Sequence, residues 1–191
     1  ARPAWLHRYM REQTEIRPSV VLRMTRYTLA SAEATQLVDY FAAASGQEYP
    51  YAPAPQRPTD RGPAADATGG HTGRPDEQPA GNDRPSRLDR AMRVVLDRTT
   101  YCAKCHQIGD FTPGGQIDTI LAPNLADVHR RLRPDYVRHW LANPKSVLPY
   151  TGMPVNFPPA GPPLGQDLFP GSSLEQLDAV VDLLLNYDWY V

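Results

Sequence analysis

An all-α fold is what the sequence predicts, on three observations. Apolar residues recur at helical spacing in several separate stretches, polar capping residues stand at their starts, and no stretch alternates apolar with polar residues as a strand does. With 191 residues, 41% of them apolar, the chain is long enough for one or two small domains with a core. The formal net charge of -1 gives no overall field that would concentrate nucleic acid or an acidic membrane, so no nucleic-acid partner is expected. No apolar run approaches the roughly 18 residues of a membrane span, and no basic-plus-apolar signal sequence opens the chain. The first residue is alanine, as expected of a processed or truncated product.

Three zones differ in composition. Residues 1–45 read as helix, loop, helix. Trp5, Leu6, Tyr9 and Met10 share one helical face, Pro18 breaks the pattern, and Ser31 is the expected N-cap of a second helix whose apolar face is Leu37, Val38 and Phe41. Residues 46–86 cluster Pro, Gly, Asp, Arg and Thr with almost nothing to bury, the composition of a disordered or extended linker. As a flexible coil it would span roughly 35–40 Å, so the flanking pieces could sit far apart or on different partners.

Residues 87–191 are the stretch complete enough to fold as a domain. A helix is expected from Leu88 towards Tyr101, with Leu88, Met92, Val95 and Leu96 on its apolar side. After a Gly/Pro-rich loop, helical patterns recur around Leu125–Leu132 and Pro134–Ala142. A second Pro-rich loop, 149–171, leads to a last helix from Ser173 through Tyr187. Ser173 and Gln176 form its capping-box pattern, and Leu174, Leu177, Val181 and Leu184 form its apolar face.

The two cysteines of the chain stand together in Cys102-Ala103-Lys104-Cys105-His106, so no long-range disulfide framework is available. This C-x-x-C-H spacing suits covalent haem attachment: two thiols on one turn reach the two vinyl groups, and the adjacent imidazole falls under the iron. A zinc site would need two further ligands, and His71, His129 and His139 lack the spacing of a second ligand pair. Thioredoxin-like chemistry expects a strand before the motif, whereas a helix is expected here. The second axial position calls for a soft thioether. Of Met10, Met24, Met92 and Met153, the last lies in a loop placed to return to the iron, after three helical segments that can wrap the ring.

At this point residues 88–191 resemble a bacterial class I cytochrome c domain. The resemblance is carried by a helix ending in CAKCH, the stretch Ala122-Pro123-Asn124-Leu125, a helix opening Arg133-Pro134-Asp135-Tyr136 with Trp140-Leu141 following, the Gly152-Met153-Pro154 loop, and a closing Leu-rich helix. It implies that Met153 is the sixth ligand of one haem c iron bound through Cys102, Cys105 and His106, and that the Pro123 carbonyl supports the proximal His106. A long Pro-rich insertion, residues 154–171, and Ala122 in place of a frequent Gly depart from the family pattern and bear on the haem edge. Residues 4–45 resemble the C-terminal half of the same domain without its haem motif. Trp5-Leu6-x-x-Tyr9-Met10 parallels Tyr136-Val137-x-x-Trp140-Leu141, and Met24 stands near where Met153 stands. Either an upstream haem-binding half is missing from this chain, or the segment is a degenerate domain that serves docking.

The expected function is therefore that of a non-enzymatic, single-electron carrier, a subunit or tethered domain of a larger respiratory or photosynthetic electron-transport complex. The resemblance implies redox protein partners and a periplasmic or extracytoplasmic membrane-surface location. Two alternatives are a haem module feeding a catalytic subunit of an oxidoreductase and a haem-based ligand sensor. Arg130, Arg131, Arg133 and Arg138 either meet haem propionates or an acidic partner, or form a solvated helix face. His129 and His139 are expected to face solvent, and Trp140, Tyr150 and Tyr187 to pack a haem pocket.

Overall fold

The structure, a computed structural model, describes residues 1–17, 25, 27–47, 86–98, 101–112, 122–160, 163 and 165–191. Pro18, Met24, His71 and nearly all of the expected linker lie outside the described residues. Among those described, the protein is all-α: helices and short 3₁₀ turns, two isolated bridges and no strand. No described helix is long and apolar enough to cross a membrane.

Two helices form the N-terminal part. The first, α1 (Pro3–Glu12), starts on a proline, whose missing N–H costs nothing in the first turn. It stacks Trp5 on Tyr9, ring centres 4.8 Å apart. The second, α2 (Ser31–Ala44), packs on it. Ser31 is not the N-cap but the first helical residue; Ala30 holds the cap position, and the Glu33 carboxylate accepts its N–H at 2.8 Å. The expected apolar face is also rotated. Ala34, Val38 and Ala42 are buried, whereas Leu37 and Phe41 are 39% and 46% exposed. A row of small residues at i, i+4 and i+8 lets the two helices approach closely, and this row wins over the bulkier one.

The C-terminal part is built around α7 (Ser173–Leu185), which lies between α3 (Arg87–Leu96) and α5 (Pro134–Ala142). With neighbours on two sides, α7 buries Leu177, Ala179, Val180, Val181, Leu183 and Leu184, leaving Leu174 exposed. Its capping box is Ser172 with Glu175, one residue before the expected pair: Glu175 N–H donates to Ser172 Oγ at 3.2 Å, and Ser172 N–H to Glu175 Oε2 at 2.6 Å. The helix ends at Leu185, before the expected Tyr187, which opens the short α8 (Tyr187–Tyr190).

In α3 the box of Ser86 and Asp89 starts the helix, and Leu88, Ala91, Val94 and Val95 face the core. It stops at Leu96 rather than near Tyr101, because Asp97 turns extended and its carboxylate accepts the Tyr101 N–H at 3.3 Å. Short α4 (Val128–Arg131) follows a 3₁₀ turn at Leu125–Asp127, and α6 (Pro144–Val147) follows α5. The sequence reading missed α6, although Asn143 before Pro144 is a capping pattern, and Asn143 Oδ1 does accept the Ser146 N–H at 3.3 Å. Polar clasps tie the helices together. Arg87 pairs with Asp182, Arg138 with Asp178 at 3.0 Å, and the Tyr190 hydroxyl donates to Asp89 at 2.8 Å.

The two parts are joined directly. Arg2 donates from its backbone N–H to the Arg131 carbonyl at 2.8 Å and from Nε to the Leu132 carbonyl at 2.7 Å. The Arg131 guanidinium lies 5.2 Å from the centre of the Trp5 ring. The flanking pieces, expected to be free to sit far apart, are thus docked through α1 and α4.

Candidate functional site

Cys102, Ala103 and Lys104 form a single 3₁₀ turn, closed by the N–H groups of Cys105 and His106 on the Cys102 carbonyl at 3.0 and 2.8 Å. In a 3₁₀ turn, residues i and i+3 eclipse, so the two cysteines share one side of the turn. They are unbridged: Cys105 is exposed and Cys102 buried. Burial pushes the Cys102 thiol up to about 12, with lesser upward pushes from Asp97 and Cys105. A buried thiol held protonated in this way is a poor nucleophile. Among the described residues, no three His, Cys, Asp or Glu side chains group as a metal site.

His106 is fixed by its neighbours. Nδ1 lies 2.7 Å from the Pro123 carbonyl oxygen, which can only accept, so Nδ1 carries the proton and the Nε2 lone pair is left available. Burial is the main cause that lowers the pKa of the ring. The Pro123 carbonyl opposes it, and the charge of Arg17 acts in the same direction as burial. The imidazole is therefore kept neutral, the form that coordinates a metal.

Asn124, next in the chain, ties the segment that carries this carbonyl to Gly109 and Ala126. Asn124 Oδ1 accepts the N–H groups of Gly109 and Ala126, both at 3.0 Å, and Nδ2 donates to the Gly109 carbonyl at 2.9 Å. Gly109 sits at φ 58°, which favours glycine, and a Cβ there would lie 2.7 Å from the Tyr187 hydroxyl, which would have to shift. The sequence reading gave Asn124 no role, although an Asn opening a helical run is the signal for one.

Met153 is half-buried against the core in the loop after α6. Its Sδ accepts the indole N–H of Trp140 at 2.9 Å, and its backbone N–H donates to Thr151 Oγ1 at 3.2 Å. No hydrogen bond joins Met153 to His106 among the described residues. Trp140 is half-buried and stacks on Tyr136, centroids 6.0 Å apart, whereas Tyr150, expected in the pocket, is 84% exposed.

The insertion 154–171 contributes to the core rather than only to an edge. Phe157 lies 6.1 Å from the Tyr101 ring, Phe169 is buried beneath Arg90, and Gly165, at φ 59°, passes so close to Tyr101 that a Cβ would meet the ring at 2.8 Å.

The arginines divide. Arg130 pairs with Asp188 at 2.8 Å and Arg138 with Asp178, while Arg131 covers Trp5. His129 is turned from solvent onto Asp188 at 2.9 Å, and exposed His139 meets Ser146 Oγ at 3.2 Å. A cavity of about 390 Å³ lies between α1, α2 and α5, with Arg133 and Tyr136 in its lining but none of Cys102, Cys105, His106 and Met153. No family model matches the chain, and neither does any curated protein or solved structure in the comparisons made.

Proposed function

We propose that the chain is a c-type cytochrome: a single-electron carrier with one haem held through Cys102, Cys105 and His106 and ligated by His106 and Met153. It works as a subunit or tethered domain of an electron-transport complex on the extracytoplasmic side of a membrane, with redox proteins as partners. The observation that carries this reading is the His106 imidazole, neutral, oriented by the Pro123 carbonyl at 2.7 Å and presenting Nε2, directly after two cysteines on one tight turn. The donor set fits the group: two unbridged thiols, one nitrogen with its lone pair available and one thioether sulfur.

When bound, haem supplies the Fe(II)/Fe(III) couple. The protein does the rest. Cys102 and Cys105 would hold the ring through their two thiols, each adding its S–H across a vinyl double bond with no net oxidation. The Pro123 carbonyl holds the imidazole and strengthens its donation, and Asn124 ties the adjoining backbone to Gly109. Ala103 inside the motif belongs to the same buried apolar cluster as Ile108 and Leu125, which keeps water from this side of the turn. No general acid, base or nucleophile is required, which is why a carrier rather than an enzyme is proposed.

Expressed in cells that mature c-type cytochromes, the chain should keep its colour through denaturation, give a pyridine haemochrome of the c type, and ignore carbon monoxide. Cys102→Ser/Cys105→Ser should be colourless. A colourless or zinc-loaded wild-type chain contradicts the reading, and rapid uptake of carbon monoxide favours the ligand-sensor alternative instead.

A further inference from the structure

The N-terminal pair of helices repeats the pair α5 and α7 in register. Both α1 and α5 open on proline and stack two aromatic rings four residues apart, Trp5 on Tyr9 and Tyr136 on Trp140. At the starts of α2 and α7 the Ala30 and Ser172 N–H groups donate to Glu33 and Glu175 at 2.8 and 2.6 Å. Counted from these caps, Ala34, Val38 and Ala42 of α2 stand where Gln176, Val180 and Leu184 stand in α7, and all six are buried.

The adjoining face differs. Leu37 and Phe41, 39% and 46% exposed, stand where α7 has the fully buried Ala179 and Leu183. Tyr40, also exposed, stands where Asp182 pairs with Arg87 of α3. The side of α7 that α3 covers is therefore left open on α2 among the described residues. Its pattern is nonetheless that of a buried stripe, with Leu37, Tyr40, Phe41 and Ala44 at i, i+3, i+4 and i+7. Phe41 also lines the cavity of about 390 Å³ together with Leu6, Val38 and Tyr136, so the stripe ends in a socket for an apolar side chain.

Charge decides what fits there. Glu33 and Asp39 are the charged residues of α2, which has no Lys or Arg, whereas α3, in the equivalent place on α7, carries Arg87, Arg90 and Arg93. We infer that the Leu37, Tyr40 and Phe41 face of α2 is a docking surface for one basic, amphipathic helix of a partner protein, laid where α3 lies on α7. Apolar residues of that helix cover the stripe, and its Lys or Arg side chains meet Glu33 and Asp39. A second α2 or an anionic membrane would set like charges together. The inference stands apart from the haem reading, since α2 carries none of Cys102, Cys105, His106 and Met153.

The test places a photo-crosslinking residue in the full chain, in the cells that make it. Tyr40→benzoylphenylalanine puts it on the face, and Ala32→benzoylphenylalanine puts it on an exposed position round the helix. The expected product at position 40 is one peptide of another protein, apolar at helical spacing and rich in Lys or Arg, in about tenfold greater yield than at position 32. Leu37→Lys, at an exposed site, should cut that yield about tenfold by setting a like charge against the basic helix. Should Tyr40→benzoylphenylalanine lose helicity, Phe41→benzoylphenylalanine keeps a ring and reports on the same face. Cross-links to this chain itself mean self-association or cover from within, and cross-links to lipid mean a membrane surface. Equal yields at both positions mean a solvated face, and an acidic peptide means the wrong partner chemistry; each of these results overturns the inference.

Discussion

The N-terminal pair of helices and the C-terminal module use the same local devices but differ in how they build a core. In the C-terminal module α7 is enclosed by α3 and α5, and Val180, Leu183, Val94 and Val95 are almost completely buried. The N-terminal pair buries Ala34, Val38 and Ala42, leaves Leu37, Tyr40 and Phe41 exposed, and leans on α4 through Arg2, Trp5 and Arg131. Two helices cannot enclose a third face; the difference lies in the number of layers, not in the quality of the helices.

The core positions break or sharpen this contrast most. Leu183→Ala is expected to cost about 2–5 kcal/mol in denaturant unfolding of the full chain. Val38→Ala removes two methyl-sized groups at ~0.8 kcal/mol each and should cost about 1.5 kcal/mol. Equal losses would mean that both parts share one equally enclosed core.

The helix starts give a smaller effect. Ser172→Ala removes a side chain that accepts the Glu175 N–H and should lower stability by about 1 kcal/mol, whereas Ser31→Ala, one place inside its helix, should stay within about 0.5 kcal/mol. A larger loss at Ser31 would restore it as the cap.

The smallest effect separates the clasps by pH. A hydrogen bond from Arg130, with help from His129, holds the Asp188 carboxyl below its ordinary value of 3.8. A lowered folded-state value stabilises fully above the ordinary value, and this is lost as pH falls through the lowered one. The docking bonds of Arg2 to carbonyls and of Arg131 to the Trp5 ring do not titrate there. Asp188→Asn should therefore flatten the acid limb of helix loss followed by circular dichroism, and added salt should shrink the difference, because the pair is half exposed. An acid limb unchanged in Asp188→Asn would remove the α4–α8 clasp from the account.

Much of the helical architecture was legible because its signals are local. Pro134 and Asn143-Pro144 bracket α5, and its bounds came out as read. Errors arose where two local signals competed. Ser172 and Ser173 both suit a cap, the small and the large rows of α2 share one period, and Asp97 bonds the Tyr101 N–H instead of letting the helix run on.

At the site, the cysteines and His106 are adjacent in the chain and could be read directly, and the Pro123 contact followed from the resemblance. Trp140 on Met153 and Asn124 on Gly109 could not be read in this way. Each bond joins residues more than a helical turn apart whose meeting is decided by packing.

The central claim is tested most directly by the intact mass of the full chain purified from cells that attach c-type haem. The account predicts the polypeptide mass plus one haem, lost together with the colour in Cys102→Ser/Cys105→Ser. A bare polypeptide mass from those cells, beside a control cytochrome that is fully loaded, would contradict it.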